Sequence, residues 1–158
     1  MRQPDLSITL DLPPKSSHAN ARPKGWQGKV YPASKYAKTA GEIIWGYAAQ
    51  FGTPRWPSVV IRLNFMLPEV KKRGSDQRHD PDNLIAWVKK PLDLLQEHGI
   101  LANDRDVIYL PPVQLRAERY VPGKSFQESY LQIDIWQRRD GECPFCGHQE
   151  SGSPLLCE

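Results

Sequence analysis

DPDNLIAWVKKPLDLLQEHG, residues 80–99, is the stretch on which the reading of this 158-residue chain turns. Asp80 suits the position just before a helix, Pro81 suits its first turn, and Asp82 places negative charge where the helix dipole favours it. Leu84, Ile85, Val88, Leu92 and Leu95 recur at helical spacing, so an amphipathic helix is predicted from Pro81 to about His98, with Gly99 as its stop. Pro91 removes one helical hydrogen bond and clashes one turn back, which predicts a kink or local break near Val88 to Lys90. At about 100° per residue, Asp82, Lys89 and Asp93 fall on one polar stripe, opposite the apolar one.

Working outward, the next elements read as strands. Ser58 to Leu67 is rich in β-branched and apolar residues, and Leu6, Ile8, Leu10 and Leu12 alternate with polar residues until Pro13-Pro14. Val107 to Leu115 and Ser129 to Trp136 are two further β-like runs. Between the first two strands, Ser34 is the predicted start of a helix through about Phe51, with Ala37, Ile43, Ile44, Tyr47 and Ala48 inward and Gly52-Thr53-Pro54 as its end. Lys15 to Lys29 reads as a basic exposed loop, and Pro68 to Arg78 as a charged linker. The order β-α-β-α-β-β predicts an α+β fold: one small domain, residues 1–137, with two main helices against a mixed or antiparallel sheet, followed by a tail, 138–158.

Composition narrows the function classes. No run approaches the roughly 18 apolar residues of a membrane span, and no secretory leader pattern opens the chain, so a soluble, cytoplasmic protein is expected. Net charge is only +3, but residues 1–90 hold 15 Lys and Arg against 7 Asp and Glu, while residues 91–158 hold 6 against 11. The first part can therefore present a basic, phosphate-binding face. Lys15, Arg22, Lys24, Lys29, Arg78 and Lys90 are the candidate DNA contacts. Trp26 and Trp56, in loop-like sequence, are candidates for stacking on splayed bases, whereas Trp45, Trp87 and Trp136 are expected to be buried.

All three cysteines lie in the tail, which excludes a disulfide framework for the fold. Cys143-Pro144-Phe145-Cys146 has the spacing of a zinc knuckle, with His148 and Cys157 available as further ligands; free thiols or a redox pair are the alternatives.

Asp80 and Asp82, two apart at a helix start, and the later cluster Asn103-Asp104-Arg105-Asp106 offer the oxygen ligands that Mg²⁺ or Mn²⁺ requires. Phosphodiester cleavage needs an activated water and charge stabilisation on the leaving oxygen, which bound metal supplies with help from a lysine. Other uses for these residues are ordinary: a solvated helix face, Asn83 as a helix-start hydrogen-bonding group, Asp93 as an ion-pair partner of Lys89 or Lys90, Asp106 as a loop surface charge, and His79 as an exposed histidine or a proton-transfer group.

The stretch Arg78-His79-Asp80-Pro81-Asp82-Asn83-Leu84, then Lys89, Asp93 and Leu95, then Gly99, Asn103-Asp104 and Val107, resembles the RusA family of Holliday-junction resolvases. More weakly, Ser7-Ile8-Thr9-Leu10 with Pro13-Pro14, and Val60-Ile61-Arg62 with Pro68, resemble that family's opening strand and the strand before its acidic segment. The resemblance spans roughly residues 5 to 137 and implies that Asp80, Asp82 and Asp104 bind Mg²⁺ in a homodimer that cuts symmetric strands of four-way junction DNA in recombination or repair. Small size and the family's habits add a phage origin. Two positions depart from the pattern. The family's lysine commonly lies one turn after the second aspartate, where this chain has Ala86, leaving Lys89 or Lys90 for its role, and the family's Asp-Asp pair is here Asn103-Asp104. The competing functions are a non-catalytic DNA-structure or zinc-dependent interaction module, and a nuclease for flap or replication intermediates.

Overall fold

The computed structural model describes residues 2–14, 25–67, 80–116 and 129–139. Its elements are β1 (Leu6–Asp11), α1 (Gly25–Gln50), β2 (Val59–Leu67), α2 (Pro81–Trp87), α3 (Lys89–Glu97), β3 (Val107–Tyr109), β4 (Val113–Arg116) and β5 (Tyr130–Gln137). The result is a small α+β domain with a mixed sheet. β5 lies between β1 and β2, antiparallel to both, while β3 and β4 run parallel to β2 along its other edge.

Strand alternation puts Leu6, Ile8 and Leu10, Leu131, Ile133 and Ile135, and the odd-numbered residues of β2 on one face. That face is buried under the helices, which contribute Ala40, Ile44 and Ala48 from α1 and Leu84, Val88, Leu94 and Leu95 from α2 and α3. The apolar stripe read from residues 84–95 is thus the stripe that packs, with Ile85 and Leu92 partly buried beside it.

The predicted break falls at Val88, whose φ of −96° and ψ of 15° end α2 and begin α3. Pro91 has no N–H to give the Trp87 carbonyl, so the ladder is interrupted there. Among the hydrogen bonds that close α3, Gly99 N donates to Gln96 O and Ile100 N to Leu95 O. This is the helix stop that needs a left-handed residue, and Gly99 has φ +77°.

Two boundaries and the burial of one tryptophan differ from expectation. α1 begins at Gly25 and continues through Pro32, so the segment 25–29 read as loop, with Trp26 in it, is helical backbone. Glycine and proline there punctuate the composition without ending the helix. The run Val107 to Leu115 is two strands, because neither Pro111 nor Pro112 can donate to a ladder. Three residues of β2, from Ile61 to Asn64, span the same distance as four from Tyr109 to Val113, so one extra residue reverses the side-chain parity. Val107 and Tyr109 therefore share the helix side with Val59 and Ile61, while Val113 and Leu115 point to the opposite face and are exposed. Finally, Trp45 is 62% exposed on α1 instead of buried, whereas Trp87 and Trp136 are in the interior. Trp56 packs partly against the core and exchanges backbone hydrogen bonds with Ile100 and Ala102.

The face of the sheet away from the helices carries a polar cluster centred on Asp134. Its carboxylate accepts from Ser7 Oγ at 2.7 Å, Gln132 Nε2 at 2.8 Å, Asn64 Nδ2 at 2.7 Å and Arg62 at 3.1 Å. Burial pushes Asp134 up, but the hydrogen bonds from Gln132, Ser7, Arg62 and Asn64 outweigh it and hold the carboxyl below its ordinary value. The Arg62 guanidinium also lies 5.1 Å from the Trp136 ring centroid, a cation–π distance.

Candidate functional site

Asp80 adopts an extended backbone, φ −58° and ψ 136°, immediately before α2, and its carbonyl accepts the first helical hydrogen bond, from Leu84 N at 3.1 Å. Its carboxylate makes no capping hydrogen bond. Asp82 is in the first turn of α2, and both side chains are exposed. Asp104 is exposed in the segment that leads into β3. Among the described residues none of these three carboxylates has a hydrogen-bond or ion-pair partner.

The neighbours of Asp104 shape its loop. Asn103 Oδ1 accepts from the Arg105 amide at 3.0 Å, a local turn that commits the Asn103 side chain to the backbone. Asp106, exposed, pairs with Arg138 at 3.2 Å, and its carbonyl accepts from Val59 N, which fixes the start of β3 against β2. Asp106 is thus a surface charge with a structural partner.

On α3, Lys89 Nζ lies 3.4 Å from Asp93 Oδ1, the i,i+4 pairing expected from the polar stripe, and Lys90 Nζ lies 3.0 Å from Glu97 Oε1. Both pairs are solvent-exposed, which limits each to about 0–1 kcal/mol. Asn83, half-buried, makes no side-chain hydrogen bond among the described residues.

Tyr109, which the sequence pattern did not single out, lies near part of the acidic segment. Burial first, and then the negative charges of Asp104 and Asp93, push its hydroxyl up, so this residue stands within the field of one candidate ligand, Asp104, and of the paired Asp93. The signal was present in the strand alternation after Asp104, which aims Val107 and Tyr109 towards the helices, but the register needed to see it comes from pairing with β2.

The structure does not gather all the predicted ligands. Among the described residues no three His, Cys, Asp or Glu side chains converge closely enough to hold a metal ion, so Asp80, Asp82 and Asp104 do not form a closed triad within one chain. The donor set still suits Mg²⁺, which is commonly held by one or two carboxylates plus substrate phosphate and water. Asp80 and Asp82 fit that requirement as exposed oxygen donors two residues apart, without a partner among the described residues.

Of the candidate DNA contacts, only Lys90 has a described side chain. Lys29 lies on the backbone of α1, and Lys15, Arg22, Lys24 and Arg78 lie outside the described residues, as do His79 and the proposed zinc ligands Cys143, Cys146, His148 and Cys157. No described helix is long and apolar enough to cross a membrane. Comparison with models of known protein families finds no match, and comparison with curated proteins likewise finds none.

Proposed function

We propose that this protein is a metal-dependent, structure-selective DNA endonuclease that cuts four-way junctions, acting as a homodimer. The observation that carries the reading is the contrast between the fold's working carboxylates and these three. Asp134, Asp93, Asp106 and Glu97 each have a hydrogen-bond or ion-pair partner, while Asp80, Asp82 and Asp104 are exposed and have none among the described residues. A surface that serves only to bind phosphate gains nothing from unpaired negative charge, whereas a divalent cation requires it. Asp11 and Glu42 likewise have no partner among the described residues, but each lies outside the acidic segment in the sequence.

In this reading Asp80 and Asp82 would hold the cation, and Asp104, which does not close a triad with them among the described residues, would join only as metal and DNA bind. Bound Mg²⁺ or Mn²⁺ would supply an activated water and neutralise charge on the phosphate. The residues of the chain then have distinct tasks. Lys89 or Lys90 releases its carboxylate partner and places an ammonium beside the leaving oxygen, where positive charge lowers the barrier. Asn103 holds the loop that presents Asp104. Zn²⁺ bound by Cys143, Cys146, His148 and Cys157 would give the tail a fixed shape for docking on DNA or on a partner.

Cleavage of a labelled four-way junction, beside linear duplex and flap DNA, with and without Mg²⁺, tests this for wild type and Asp82→Asn. Paired nicks on the junction that need metal and vanish in the variant while binding persists are the expected result. Binding without cleavage in any metal would move the assignment to a DNA-structure-binding module, and preference for the flap would move it to replication intermediates. Sedimentation of the free protein reads the dimer directly.

A further inference from the structure

Between α1 and the α2–α3 unit lies a cleft of about 250 Å³, and we infer that it takes one unstacked nucleotide of the branched DNA. This rests on the nuclease reading and names a binding site for it. Two of its lining residues are alanines, Ala33 from α1 and Ala86 from α2, whose small side chains leave space that larger ones would fill. Its volume falls just below the roughly 300–1,000 Å³ of pockets for drug-sized ligands, which suits a single base.

The chemistry of the walls and rim differs. Tyr36, half-buried, supplies most of the aromatic surface, with Trp87, buried and stacked on Phe65, lining the slot beside it, while Lys89, Lys90 and Asp93 line its exposed side. The polar tips of both rings are already committed: Tyr36 Oη donates to Asp11 O at 2.9 Å and Trp87 Nε1 to Pro14 O at 3.1 Å. Neither tip is left to read a base edge, so the rings contribute contact area alone, and the cleft accepts bases with little regard to identity. An apolar slot with ammonium groups along its exposed side matches the two halves of a nucleotide, flat ring inside and phosphate outside.

The lysines are available to such a phosphate. Lys89 and Asp93 are 76% and 46% exposed, and Lys90 and Glu97 are 47% and 54% exposed, so each pair sits in high dielectric and exchanges partners at small cost. Unstacking is least costly where a base has already lost its neighbours or its pairing partner, as at a branch point. The cleft therefore favours junction over continuous duplex.

The test uses full-length protein and a four-way junction carrying 5-iodouracil at each branch-point position in turn, irradiated with Mg²⁺ left out. Ala33→Trp and Ala86→Leu fill the cleft from α1 and from α2, and Gln50→Trp adds bulk at the far end of α1. The expected result is a cross-link to Tyr36 or Trp87 in wild type and Gln50→Trp, lost in both filled variants, whose junction affinity falls about 5- to 150-fold, the range of one base–aromatic stack. A cross-link that persists in the folded filled variants, or that maps only to other residues, overturns the inference. Cutting of the junction without any cross-link at Tyr36 or Trp87 removes the nucleotide site alone. Neither binding nor cutting by wild type removes the nuclease reading and the site together.

Discussion

On the face of the sheet away from the helices Asp134 is buried and takes four hydrogen bonds, whereas Asp80, Asp82 and Asp104 stand exposed with no partner among the described residues. The difference lies in what each carboxylate does for folding. A buried carboxylate survives only if its lost hydration is replaced, and Ser7, Gln132, Asn64 and Arg62 replace it from three strands. That cluster ties β1, β5 and β2 into one register. An exposed carboxylate without a partner contributes almost nothing to stability, so it can be retained for something outside the chain. Removing either kind should separate stability from activity.

Asp82→Asn is the sharpest break in this comparison. Cleavage of the junction is expected to fall about 10³-fold or more, the scale on which metal-held charge lowers a barrier. Urea unfolding of the same variant should shift by less than about 0.5 kcal/mol, as for a surface change. Loss of stability with activity retained would reverse the assignment of Asp82 from site to scaffold.

Asp134→Ala is the mirror experiment. It leaves Arg62 and three neutral donors without their acceptor, and unfolding free energy is expected to fall by about 3 kcal/mol. Cleavage per folded molecule should be unchanged. The pH dependence follows from the direction of the shift: the folded carboxyl is held below its unfolded value, so its stabilisation is complete above about pH 4 and is lost as pH falls through the lowered folded value. Urea midpoints measured from pH 7 to pH 2 should show an acid limb in wild type that flattens in Asp134→Asn.

Lys89→Ala and Lys90→Ala decide which ammonium serves the reaction. Either loses an exposed ion pair and should move stability by less than about 0.5 kcal/mol. The one that assists the leaving oxygen is expected to lose about 10²-fold in kcat, with the other near wild type.

Gly99→Ala probes the frame that carries α3. A left-handed conformation costs a non-glycine residue roughly 1–2 kcal/mol. The added Cβ would also lie 3.4 Å from Thr53 Cβ, a tight approach. The expected loss is about 1–2 kcal/mol by urea unfolding, with cleavage by the folded fraction unaltered.

Much of the fold was readable because periodicity is a local property. The alternation in residues 6–12, the β-rich run 58–67, the amphipathic stripe from Leu84 to Leu95, the break before Pro91 and the stop at Gly99 all follow from neighbours in the chain, and the structure has each of them. The start of α1 was not readable, because Gly25, Gly28 and Pro32 carry loop-like local preferences inside a helix. The exposure of Trp45 was missed for a related reason: its side of α1 depends on which face the sheet occupies.

For the candidate site, the sequence by itself determined the acidic residues, their position at the start of a helix, and the pairing of Asp93 with Lys89 or Lys90, between which the structure chose Lys89. Tertiary structure alone decided which carboxylates would be spent on the fold. Asp134 looks like any strand residue until β1 and β2 flank it, and Tyr109 joins the field of Asp93 and Asp104 only once β3 pairs with β2. The cleft between Ala33 and Ala86 likewise belongs to two helices separated by a strand. Local rules act over about one helical turn or one strand alternation, whereas burial, partner choice and empty space are set by residues brought together from distant parts of the chain.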